Sequence, residues 1–92
     1  MPTYITMFKI NDCFKFKVPL LESDTGDELY KVKLIYIDDN GIKYTLERFV
    51  KGQRYTEIRT YDEKWITFDN VIPISSTEFE ETINDYLSIF AV

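Results

Sequence analysis

Histidine is absent from this chain, cysteine occurs once, at Cys13, and alanine occurs once, at Ala91. Without imidazole, no side chain has an ordinary pKa near neutral, and no His/Cys set is present to hold zinc. A lone cysteine excludes an internal disulfide and fits a reducing compartment, so a cytoplasmic, intracellular protein is expected. No apolar run approaches the roughly 18 residues of a membrane span, and no membrane role is expected. The opening Met1-Pro2-Thr3-Tyr4 has no basic stretch followed by an apolar one, so no secretory signal is expected. The scarcity of alanine beside abundant Ile, Lys, Tyr, Phe, Asp and Glu is what an AT-rich genome writes, such as a low-GC bacterium or its phage.

What is present is a supply of large side chains. Seven Phe, seven Tyr and one Trp stand among 92 residues that are 45% hydrophobic. That excludes a disordered chain, which lacks such residues, and predicts one domain with a modest core. The net charge of −5 is uneven. Residues 1–68 hold eleven acidic and eleven basic side chains, whereas 69–92 hold Asp69, Glu78, Glu80, Glu81 and Asp85 with no Lys or Arg.

Hydrophobic alternation predicts strands. Phe8 to Ile10 opens with a strand-like segment and a turn at Asn11-Asp12. Phe14, Phe16 and Val18 then share one face of a strand, with Lys15 and Lys17 on the other, and Pro19 ends it. Leu20 to Glu28 reads as a polar loop with little to pack. In the strand Leu29 to Ile37, Tyr30, Val32, Leu34 and Tyr36 share a face. The other face changes from Lys31 and Lys33 to Ile35 and Ile37, which predicts a bend. Asp38-Asp39-Asn40-Gly41 predicts a tight hairpin, because Asn and Gly both tolerate positive φ. Ile42, Tyr44 and Leu46 alternate on the return strand. After a turn at Lys51-Gly52-Gln53, Arg54 to Tyr61 alternates with Ile58 as its one aliphatic residue, which predicts an edge strand. Trp65 to Phe68 and Val71-Ile72 predict a last short strand pair or a bulged strand, stopped at Pro73.

At Ser75 the period changes. Ser75 and Glu78 have capping-box spacing, and Phe79, Ile83, Tyr86, Leu87 and Phe90 form one stripe of a helix over about 77 to 90. The fold class is therefore mainly β with a C-terminal α-helix. It is a strongly bent, antiparallel five-stranded sheet or barrel, with residues 1–74 expected to close into a small β-barrel and the helix in 75–92 to cover an open end or the half-face at Ile35 and Ile37.

Three segments carry a family likeness: Phe8-Lys9-Ile10-Asn11-Asp12-Cys13-Phe14-Lys15-Phe16, the Asn40-Gly41 hairpin, and Trp65-Ile66-Thr67-Phe68-Asp69-Asn70-Val71-Ile72-Pro73. Across about residues 8 to 74 the pattern resembles small five-stranded barrels of the Tudor and KOW type. Such barrels often carry Gly-Asp where this chain has Asn11-Asp12, and here the helix is an addition. The resemblance implies a fold and a bias toward binding, and transfers no functional residue.

Several side chains invite a chemical reading. Cys13 has only Lys15 and Lys17 nearby in sequence as activators, and reads as a packed strand residue. Asp38-Asp39-Asn40-Gly41 lacks the spaced oxygen ligands of a calcium loop, and turn chemistry explains it. Paired carboxylates need a cleft for acid–base work, and a barrel this small is filled by its own side chains. No catalytic residue, metal or cofactor is expected. The aromatics, Trp65 included, read as core. Lys15, Lys17, Lys31 and Lys33 lie on neighbouring strands and form a nucleic-acid face if they gather, or a solvated face paired with Glu47, Glu57 and the acidic loop.

The acidic helix is the most unusual feature. Glu78 and Glu81 are three apart and Glu81 and Asp85 four, like-charge pairs that each cost a helix roughly 0.2–0.5 kcal/mol. The helix dipole relieves the first-turn acids but not Asp85. The expectation is a small protein–protein interaction domain, monomer or homodimer. Glu78, Glu80, Glu81 and Asp85 would contact a basic or nucleic-acid-binding protein. Its sharper form is a phage or mobile-element inhibitor of a host or defence protein. Nucleic-acid binding through Lys15, Lys17, Lys31 and Lys33 is the alternative.

Overall fold

Period-two alternation yields one antiparallel sheet in the computed structural model, which describes residues 5–21, 26–50 and 56–90, the side chains of 86–90 excepted. Strand β1 is Cys13–Phe16, β2 Leu29–Asp38, β3 Gly41–Phe49, β4 Thr56–Asp62 and β5 Val71–Ile74, followed by helix α1, Ser76–Phe90. The spatial order is β4-β3-β2-β1-β5. The sheet is antiparallel and five-stranded as expected, but it is open, with β4 and β5 as its edges, so the closure into a barrel expected over residues 1–74 does not occur. The Lys51-Gly52-Gln53 turn, the tip of the 20–28 loop and the first two residues of the expected fourth strand lie outside the described residues.

Each face of the sheet carries its own cluster. On the aromatic face, Phe14 and Phe16 of β1, Tyr30 and Val32 of β2, and Tyr44 and Leu46 of β3 are buried with Phe8 and Ile66. The rings interlock. Phe8 stacks on Phe14 with centroids 4.4 Å apart, Phe14 on Tyr30 at 5.6 Å, and Tyr44 meets Phe8 edge-on at 5.1 Å. Such pairs add about 0.5–1.5 kcal/mol each beyond area burial. The Tyr44 hydroxyl accepts from the Met7 N–H at 2.8 Å and donates to Glu63, which pins the segment before β1 over this face. Burial first, then the Glu63 carboxylate, pushes the Tyr44 pKa up to about 12.

The other face is the helix face. Cys13, Leu29 and Phe49 pack there against Phe79 and Ile83 of α1, with Ile74 alongside. The helix thus covers the β1 and β5 side, not the Ile35 and Ile37 half-face. The reason lies in β2. Its pairing with β3 slips between Val32 and Leu34, where Val32 faces Leu46 and Leu34 faces Thr45. This bulge at Lys33 exchanges the faces. Ile35 turns to the aromatic core, opposite Tyr44, while Leu34 and Tyr36 turn out on the helix face and are exposed. The face change in the sequence is therefore a bulge, and no element covers the second half of the strand among the described residues.

Other expectations are corrected in detail. Phe8 to Ile10 is not a strand; Lys9 and Asp12 close a turn in which Asn11 takes φ 74°, a conformation Asn tolerates. Strand β1 stops at Phe16, so Val18 is exposed, its backbone held by the Asn70 side chain. The β2–β3 hairpin turns through Asp39 and Asn40, and only Gly41 has positive φ, at 117°. Asp38 accepts from the Asn40 N–H at 2.8 Å, and that bond lowers its carboxyl pKa. The segment 63–70 forms two short 3-10 turns, Glu63–Trp65 and Phe68–Asn70, in place of a strand. Trp65 and Phe68 are consequently exposed, and only Ile66 enters the core. Strand β5 runs through Pro73, tolerated because β5 is an edge.

Candidate protein-interaction surface

The start of α1 follows from its cap. The Ser75 Oγ accepts from the Glu78 N–H at 3.0 Å. With Phe79 and Ile83 turned to the sheet, residues at i, i+3 and i+7 from Glu78 take the outer side. Glu78, Glu81 and Asp85 are exposed there. Glu80 lies between the two sides and reaches down to the sheet. Its carboxylate accepts from Lys31 Nζ at 2.8 Å, and this bond raises the Lys31 pKa. Lys31 also sits 5.8 Å from the Phe79 ring centroid.

The two rival surfaces read from the sequence therefore meet in one ion pair, Lys31–Glu80. The four lysines do not gather into one stripe. Lys33, the bulged residue, pairs with Glu47 at 3.3 Å. Lys15 is half-buried opposite Ile72, and Lys17 lies past the end of β1. Glu47 thus pairs with a lysine as expected, whereas Glu57 binds Arg48 at 3.0 Å and Arg59 at 3.1 Å.

One row crosses the helix face from edge to edge. Ile74, Cys13, Lys31, Glu47 and Ile58 are successive cross-strand partners from β5 to β4. The helix covers the β5 and β1 end. Beyond Glu47 the row emerges, and Ile58 is 61% exposed. Leu34 and Tyr36 stand on the same face, across from Thr45 and Lys43, and are about half exposed. This uncovered apolar half-face was missed in the sequence, although the mixed pattern of β2 was its signal.

The aromatic face holds a second unforeseen group. Arg48 and Glu28 are both buried, with Nη2 and Oε1 3.6 Å apart, and Glu28 also accepts from the Gly26 N–H. Glu28 was assigned to a loop with little to pack. The signal was Arg48, which continues the inward alternation of Tyr44 and Leu46 and so requires a buried partner. Cys13 is buried beneath α1, where burial raises its thiol pKa against the pull of Lys31 opposite. Among the described residues no group of three or more His, Cys, Asp or Glu side chains is placed to hold a metal, and no helix is long and apolar enough to cross a membrane. A groove of about 500 Å³ lies beside Cys13, Phe68 and Pro73.

No family model, curated protein or solved structure matches the chain. The likeness to Tudor and KOW barrels therefore rests on the residue pattern alone.

Proposed function

We propose that this chain is a protein–protein interaction domain whose acidic helix docks on a basic surface of another protein. One observation carries the reading. Four of the five acids that make up the chain's excess negative charge fall on α1, whose outer side presents Glu78, Glu81 and Asp85 to solvent while Phe79 and Ile83 anchor it. A projecting surface of one sign speeds encounter with an oppositely charged partner and selects against others. Glu80 belongs to the anchor, through Lys31, more than to the contact. The sharper form, an inhibitor of a host or defence protein supplied by a phage or mobile element, adds the small size and AT-rich bias to that charge. Pairing of Lys31 and Lys33 with carboxylates weighs against the nucleic-acid alternative.

The test is capture of a basic protein from the native host, followed by a titration of the two purified proteins. The double change Glu78→Lys and Glu81→Lys is expected to abolish the complex while the melting curve is kept. Capture that survives the reversal removes the helix from the account. Binding of duplex or single-stranded nucleic acid at low salt, weakening steeply as salt rises, supports the lysine alternative instead.

A further inference from the structure

Strand β4 is an edge seven residues long, and among the described residues no strand pairs with its outer side. Natural edge strands are guarded by proline, by shortness, or by charges that repel a copy. The opposite edge, β5, has two of these devices: four residues and Pro73. In β4 there is no proline, and its charges are arranged to attract. Thr56, Glu57, Ile58, Arg59 and Thr60 read symmetrically about Ile58, with threonine answering threonine and glutamate answering arginine. The sequence continues the symmetry outward, Tyr55 answering Tyr61 and Arg54 answering Asp62, although residues 54 and 55 lie outside the described ones.

We infer that β4 pairs antiparallel with β4 of a second copy of this chain, about a two-fold axis through Ile58, joining two sheets into one. A two-fold axis normal to a sheet puts one residue opposite its own copy and pairs its neighbours crosswise. With Ile58 on the axis, each Glu57 faces the second copy's Arg59, and opposite charges across strands are favourable. Moving the axis by one residue sets Glu57 or Arg59 against itself, which is unfavourable. The register is therefore selected by charge as well as by the apolar contact. The geometry agrees. Glu57 and Arg59 pair with Arg48 and Leu46 on the aromatic face, whereas Ile58 pairs with Glu47 on the helix face. The charge pairs and the isoleucine contact thus occupy opposite sides of the joined sheet. Ile58, 61% exposed in one chain, is covered in the pair. This inference does not depend on the acidic-helix reading, since α1 lies toward the other edge.

Light scattering or sedimentation of the full chain tests it. The expected mass is that of two chains, each 11.0 kDa. Ile58→Lys and Ile58→Glu each place a charge against its own copy, and each is expected to run as a single chain with its folded circular-dichroism spectrum retained, because Ile58 is exposed in the monomer, while its melting midpoint loses the dependence on protein concentration that pairing confers. Mixing the two variants is expected to restore the two-chain mass, because residue 58 meets residue 58 only in this register. The proposal is overturned if the unaltered chain stays single at its highest soluble concentration, or if it forms open-ended assemblies. It is equally overturned if either variant alone still pairs, or if the mixture does not.

Discussion

The two faces of the sheet are built to different standards. On the aromatic face, rings from three strands and from the segment before β1 interlock, and the buried Arg48 and Glu28 are paired at its margin. On the helix face a smaller cluster of Cys13, Leu29, Phe49, Phe79 and Ile83 occupies the β1 side, and Leu34, Tyr36 and Ile58 beyond it are exposed among the described residues. Both faces are served by the same strands, so strand propensity does not distinguish them. The difference is in what crosses over them. Among the described residues, the chain before β1, the 3-10 turns and Leu20 of the 20–28 loop close one face, and α1 covers part of the other. The aromatic face holds the fold, and the open half of the helix face is free to make contacts.

The largest predicted effect is on the closed face. Phe14→Ala removes a fully buried ring stacked on both Phe8 and Tyr30, and is expected to cost about 3–5 kcal/mol, near the whole stability of a small domain. Denaturant unfolding checks it. Tyr44→Phe keeps the ring but strips the Met7 N–H and the Glu63 carboxylate of their hydroxyl partner, with an expected loss of about 1–3 kcal/mol.

The same residue sharpens the comparison through pH. Folding raises the Tyr44 pKa from 10.0 to about 12, so the folded state favours the neutral phenol. The stability this gives is complete below pH 10 and is lost as pH rises through about 12. Melting midpoints are expected to fall across that window. Tyr44→Phe is expected to flatten the fall, whereas a change on the helix face is not. On that face Ser75→Ala removes the cap of α1, at about 1 kcal/mol, and is expected to speed amide exchange in the helix before it does so in β2 and β3.

The architecture was legible where a repeating period does the specifying. The β2–β3 hairpin, the edge character of β4, the cap at Ser75 and the inward Phe79 and Ile83 all follow from local patterns. Illegible were events that one residue imposes on its neighbours. The bulge at Lys33 leaves no mark except a pattern that changes sides, and that change admits either a covering element or a slip in register. Trp65 and Phe68 looked like core because aromatic residues usually are, yet two 3-10 turns carry them out to solvent. Of the charged groups, the expectation that the lysine face pairs with Glu47 holds at Lys33, although in the register it is Lys31 that stands opposite Glu47. Lys31–Glu80 was not legible, because it joins residues far apart in the chain and needs the docking position of α1 to be known. Open closure was equally out of reach, since no local pattern states whether β4 returns to β5.

The division between a closed and an open face is tested most directly by one thermal melt, that of a chain carrying Leu34→Thr, Tyr36→Thr and Ile58→Thr together. Threonine keeps the strand preference while removing the exposed apolar groups. The account predicts a midpoint within about 4–8 °C of the unaltered chain, equivalent to roughly 1 kcal/mol for a domain of this size. A midpoint that drops as far as that of Phe14→Ala would show that the open half-face is part of the core, and would contradict the account.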